Sequence, residues 1–107
     1  MPGMTLGAPD NGRSVALKRG ETIALKLPEH PTTGFRWSME HPVEPILELQ
    51  RTEYVASSTA PGSGGQHTFE FKARKAGEAH VALKRWREWE GEGSIVERYE
   101  ITVRVND

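Results

Sequence analysis

The chain has no cysteine among its 107 residues. That excludes a disulfide framework, thiolate metal sites and a cysteine nucleophile, and leaves the fold indifferent to redox compartment. A surplus of one charge is lacking too: 14 Lys plus Arg stand against 15 Asp plus Glu. With no global field to attract nucleic acid or an anionic membrane, neither is expected as a partner, and any partner must be recognised by shape. Aspartate is scarce, with Asp10 and Asp107 both in terminal segments, and nothing in the pattern positions a nucleophile for a Ser-His-Asp site. The histidines, His30, His41, His67 and His80, have no metal-ligand spacing and read as surface or edge residues. No metal, no cofactor and no enzymatic activity are expected. Long apolar runs are missing as well. MPGMTLGAPDNG has no basic start followed by an apolar stretch, so neither a secretory signal nor a membrane span is read there, and the default location is cytoplasmic unless a leader has been removed. No window carries a helical stripe; PILELQ is the one candidate, and its prolines keep it short.

What the sequence does have is alternation. Val15 and Leu17, then Ile23, Leu25 and Leu27, then Phe35, Trp37 and Met39 each stand one residue apart, the period of a strand with one buried face. Phe69, Phe71 and Ala73, then Val81 and Leu83, then Tyr99, Ile101, Val103 and Val105 repeat it, and Leu47, Leu49 and Tyr54 permit a strand over 46–55. The pattern predicts an all-β immunoglobulin-like β-sandwich of about seven antiparallel strands, over a single domain at 13–107 preceded by a flexible segment at 1–12. One core suffices, since a chain of this size removes roughly two-thirds of its unfolded surface from water. Trp37 is expected in that core and Phe35 at its start. The glutamates alternate with apolar residues, as in HTFEF and ERYEITV, and read as solvated faces.

Strands that run up and down in turn send every second connection to the same end. One end receives two compact turns, KRGE (18–21) and RKAGE (74–78), plus EHPVEP. The other receives HPTTG (30–34), ASSTAPGSGGQ (56–66) and REWEGEG (87–93), hereafter the first, second and third loops. Each of these three is more than a reversal requires. The second is long and rich in Gly and Ser, and the third sets Trp86 and Trp89 among charges, where an exposed indole needs a reason. The first is stiffened: Pro31 fixes one torsion and restricts His30, Thr32 and Thr33 have few rotamers, and Gly34 permits a positive φ. Stiffness lowers the ordering cost of binding.

In this order, HPTTGF, GSGG (62–65) and REW (87–89) resemble the motifs of the chagasin-type inhibitors of papain-like cysteine proteases, over 25–105. His30 stands where that family usually has Asn, and Glu88 where it has Pro. Arg85 and Trp86 offer a second register for the last motif. The resemblance implies a monomer that blocks a papain-like protease reversibly, by a wedge of loops. Pro31, Thr32, Thr33 and Gly34 would enter the active-site cleft, with Phe35 beside them. Gly62, Gly64 and Gly65 would lie along one wall, and Arg87 and Trp89 along the other. The residue types suit that role, since Thr hydroxyls can satisfy polar groups in a narrow cleft, Gly lets backbones approach, and Trp and Arg dominate interface hot spots. The alternative is a non-enzymatic immunoglobulin-like adhesion or assembly module using the same end. The KRWREW run mixes cations with aromatics as single-strand nucleic-acid binders do, but it is one strand in an uncharged protein.

Overall fold

In the computed structural model, which describes residues 3–57 and 64–107, the alternating pattern becomes eight strands. They are β1 (Gly3–Gly7), β2 (Ser14–Lys18), β3 (Thr22–Glu29), β4 (Arg36–Met39), β5 (Leu47–Ala56), β6 (Gly65–Ala73), β7 (Gly77–Trp86) and β8 (Glu97–Asn106). Two four-stranded sheets result, in the orders β1-β3-β6-β5 and β2-β8-β7-β4. The β3/β6, β5/β6, β4/β7 and β7/β8 ladders are antiparallel, whereas β1 and β2 join β3 and β8 in parallel. The chain therefore changes sheet between β1 and β2, through a short 3-10 turn at Ala8–Asp10.

The extra strand, β1, lies inside the stretch expected to be a flexible lead-in. Only Met4 and Leu6 alternate there, between glycines, which is too little signal to read alone. Leu6 is nonetheless buried in the core, and sealing a leucine contributes about 1.5 to 3 kcal/mol. Two polar contacts finish the edge: Tyr99 donates its hydroxyl proton to the Gly7 carbonyl at 2.9 Å, and the Gly7 amide donates to Asp10 Oδ2 at 2.9 Å.

The core lies where the inward residues of the two sheets meet. Ile23 and Leu25 pair across the ladder with Phe71 and Phe69, and face Val81, Leu83, Ile101 and Val103 of the other sheet, all buried. Trp37 is buried with them, as expected, although β4 is the edge strand of its sheet. Phe35 departs from expectation: β4 begins one residue later, so Phe35 sits half-buried in the loop, outside the core.

The two ends of the sandwich separate as the strand count predicts. At one end the compact turns knit together, Gly20 N to Ala73 O at 2.8 Å and Arg74 N to the carbonyl of Ile46 at 2.9 Å. The other end holds the three longer loops.

Candidate functional site

The first loop is a turn wound on its own threonine. Pro31–Thr33 forms one 3-10 turn, and Gly34 ends it in the left-handed region at φ 83° and ψ −10°. Thr33 N donates to His30 O at 3.0 Å and Gly34 N to Pro31 O at 2.9 Å. The Thr33 hydroxyl donates to His30 O at 2.7 Å and accepts from the Phe35 amide at 3.4 Å. Thr33 is thus spent on the loop itself. Thr32 is exposed at the crest, and its hydroxyl has no hydrogen-bond partner among the described residues.

The third loop leans on the first. Arg87 Nε donates to Thr33 O at 3.1 Å, across 54 residues of chain. Its guanidinium carbon stands 4.2 Å from the centre of the Phe35 ring, and Nη1 pairs with Glu90 at 3.3 Å. The loop is shaped by two 3-10 turns, Glu88–Glu90 and Glu92–Ser94, pinned where Arg87 N donates to the Ser94 hydroxyl at 3.0 Å and that hydroxyl donates onward to Gly91 O at 2.7 Å. Trp89 is 71% exposed, yet its ring edge rests on Gly34: a Cβ at position 34 would fall 2.5 Å from Cη2. Gly34 is therefore required twice, by its backbone torsion and by the indole. Trp86 sits elsewhere, on the sheet face, with Lys84 Nζ 3.6 Å above its ring and Nε1 donating to Ser38 Oγ at 3.2 Å. Of the two tryptophans, Trp89 is the one at the tip.

The second loop meets the first from the opposite side. A Cβ on Gly64 would collide with the His30 imidazole, and one on Gly65 with the Val55 carbonyl and Tyr54 ring. These glycines let the loops of this chain approach each other. Gly65 is buried at the start of β6, in register with Glu29 and Ala56, so it shapes the base of the loop, and Gly64 leads out of it. Gly62 lies outside the described residues.

Beneath the first loop is a polar cluster whose members were expected at the surface. Glu29 is fully buried and His67 nearly so. The Glu29 carboxylate accepts from Trp37 N at 2.6 Å, from His67 Nδ1 at 3.0 Å and from Arg36 Nε at 3.2 Å. With Nδ1–H given to the carboxylate, His67 Nε2 accepts the Thr52 hydroxyl proton at 2.6 Å. Every buried side-chain polar atom among the described residues has a partner, as the cost of burying an unpaired charge requires. The signal was present: Glu29 continues the inward series Ile23, Leu25, Leu27, and His67 opens the inward series Phe69, Phe71, Ala73. Parity places both residues inside, and the expectation of solvated glutamates and surface histidines fails at these two positions. Carboxylate, imidazole and hydroxyl stand in the order of a hydrolytic triad. However, Thr52 lies within the β5/β6 ladder opposite Phe69, and the carboxylate is occupied by a backbone amide and a guanidinium. The cluster is a structural bridge.

Fold and site together define a class: an immunoglobulin-like sandwich with three loops at one end, led by a braced PTTG turn. The model of the Chagasin family peptidase inhibitor I42 matches residues 16–103, and the chain belongs to that family. It is 30% identical over 101 residues to chagasin of Trypanosoma cruzi, an alignment covering 90% of this chain and 92% of that protein. The solution structure of amebosin superposes with a TM-score of 0.83 at 28% identity, covering 99% of this chain and 100% of the other. PbICP-C, in a structure of its complex with falcipain-2, shares the fold with a TM-score of 0.63 at 14% identity, over 95% of this chain and 98% of that one. The chain is thus of an inhibitor family, not an enzyme, and the reading as an adhesion or assembly module is set aside.

Proposed function

We propose that this protein is a reversible inhibitor of papain-like cysteine proteases that fills the active-site cleft with its first loop and straddles the cleft with the other two. The observation that supports the reading best is the cross-bracing of the tip. Arg87 holds Thr33, Trp89 rests on Gly34, and His30 abuts Gly64, so the loops form one preorganised edge before any partner arrives.

Within that edge, Pro31, Thr32, Thr33 and Gly34 form the wedge, and Thr32 is the exposed side chain that offers its hydroxyl to the cleft. Trp89 is the anchor on one flank, and Gly64 lines the other; Gly62, part of the same motif, lies outside the described residues. Arg87, Phe35 and Gly65 act mainly by holding the wedge in place. An interface of about 800 Å² per partner, usual for protease-inhibitor pairs, is within reach of three loops. Nothing in the inhibitor reacts; occupancy of the cleft is sufficient.

The test is titration of papain or a cathepsin with the purified protein. A stoichiometric loss of activity with the inhibitor chain left intact is expected. Undiminished activity of several such enzymes at micromolar inhibitor overturns the proposal.

A further inference from the structure

A hairpin loop is ordinarily held in register by the ladder between its two strands. The first loop has no such ladder, because it leaves β3 in one sheet and enters β4 in the other. Something else must fix the separation and direction of its two ends. Trp37 makes two hydrogen bonds across the gap: its N donates to Glu29 Oε2 at 2.6 Å, and its Nε1 donates to Pro28 O at 2.9 Å. The first carries charge and is the shorter, as a charge-assisted bond should be. Its acceptor is the residue immediately before the loop, and its donor lies two residues beyond Phe35, where the loop ends.

The carboxylate is itself immobilised from behind. His67, on β6, bonds both of its oxygens, at 3.0 and 3.1 Å, and is held in turn by Thr52 on β5. Arg36 closes the outer side at 3.2 Å. One fully buried side chain thus ties β3, β4 and β6 together directly beneath the wedge, and β5 joins through the imidazole.

We propose that Glu29, oriented by His67, is the positioning residue of the inhibitor: its carboxylate substitutes for the missing ladder and sets the pose in which the first loop meets the protease. Glu29 touches no partner and acts through the loop. The inference rests on the reading that this loop enters the cleft, but the registration of the loop by Glu29 can be judged without a protease.

Amide hydrogen exchange and protease inhibition are compared in the wild type, Glu29→Gln and Glu29→Leu. Thr33 and Gly34, whose amides close the turn, report on the loop, and Val81 and Ile101 report on the core. For Glu29→Leu the expected result is exchange at Thr33 and Gly34 accelerated by about tenfold or more, with core protection retained. Inhibition should weaken about tenfold, equivalent to about 1.4 kcal/mol, through faster dissociation. Glu29→Gln keeps an acceptor for Trp37 N and, once His67 takes its other tautomer, donates to Nδ1 while Nε2–H donates to the Thr52 hydroxyl, so it should recover most of both. Adding Thr32→Ala should cost less binding on top of Glu29→Leu than in the wild type, since a misplaced loop has less to lose.

Loop amides that do not change, or that accelerate only in step with the core, overturn the proposal, as do strictly additive losses in the double variant. If Glu29→Leu does not fold, Glu29→Ala and His67→Ala undergo the same comparison under the same criteria. A wild-type protein that inhibits nothing defeats the docking of the loop, and the exchange comparison then decides the registration by itself.

Discussion

The two adjacent threonines of the first loop look equivalent in the sequence and have different surroundings. Thr33 spends its hydroxyl on His30 and Phe35, whereas the Thr32 hydroxyl, exposed at the crest, has no partner among the described residues. Thr33→Ala should loosen the turn, at about 1 kcal/mol for the lost bonds, and weaken inhibition indirectly. Thr32→Ala should leave the melting temperature unchanged and weaken inhibition directly. Thermal melts beside inhibition constants separate the two, and equal melting shifts would contradict the assignment. Trp89, 71% exposed, stabilises the free protein little, so Trp89→Ala should weaken binding by about 2 kcal/mol or more with a small change in melting. Gly34→Ala should do harm on both counts. A left-handed torsion costs a residue with a Cβ about 1 to 2 kcal/mol, and the new methyl must displace the Trp89 ring; calorimetry and titration of the same variant would show both losses.

At the scale of elements, β1 and the third loop show how an edge is finished by side chains. β1 lends Leu6 to the core and the Gly7 carbonyl to Tyr99, so removing residues 1–7 should cost a few kcal/mol, roughly one buried leucine plus one hydrogen bond. Chemical denaturation of the shortened chain measures this, and an unchanged midpoint would mean β1 carries no stability. The long strands were legible because alternation is a local property that persists over eight to ten residues in β3, β7 and β8. β1 was not, because five residues flanked by glycine contain two inward positions, and the partner that makes them a strand is fifteen or more residues away. The same limit applies to Phe35. Its alternation with Trp37 points inward, but the departure of the chain from one sheet to the other leaves it in the loop beneath Arg87.

For the molecule as a whole, the Tyr99 hydroxyl offers a titration that reports on global folding. Burial first, and then the nearby Asp10 charge, push the phenol up to about 12 against an ordinary value of 10.0, opposed by Arg13. Because the folded form holds the proton more tightly than the unfolded chain, the stabilisation is complete below pH 10 and is lost as pH rises toward 12. Denaturation midpoints should fall across that window, and Tyr99→Phe should flatten the fall. The inhibitor should therefore tolerate neutral pH without strain at this site.

By itself the sequence determined the class of fold and the end of the molecule at which the three loops gather. Alternation follows from the pleat of a strand, and the side on which each connection falls follows from counting strands, so both are fixed by neighbours along the chain. The PTTG, GSGG and REW motifs were readable for the same reason. Only the tertiary structure decided which of those residues stand exposed at the tip and which face one another. It showed Arg87 turned inward onto Thr33, Gly65 folded into the sheet, Trp89 and not Trp86 at the tip, and Glu29 joined to His67 across 38 positions. Such pairings depend on the packing of two sheets brought face to face by the shared burial of apolar surface. That force has no direction, so its partners cannot be read from either segment alone.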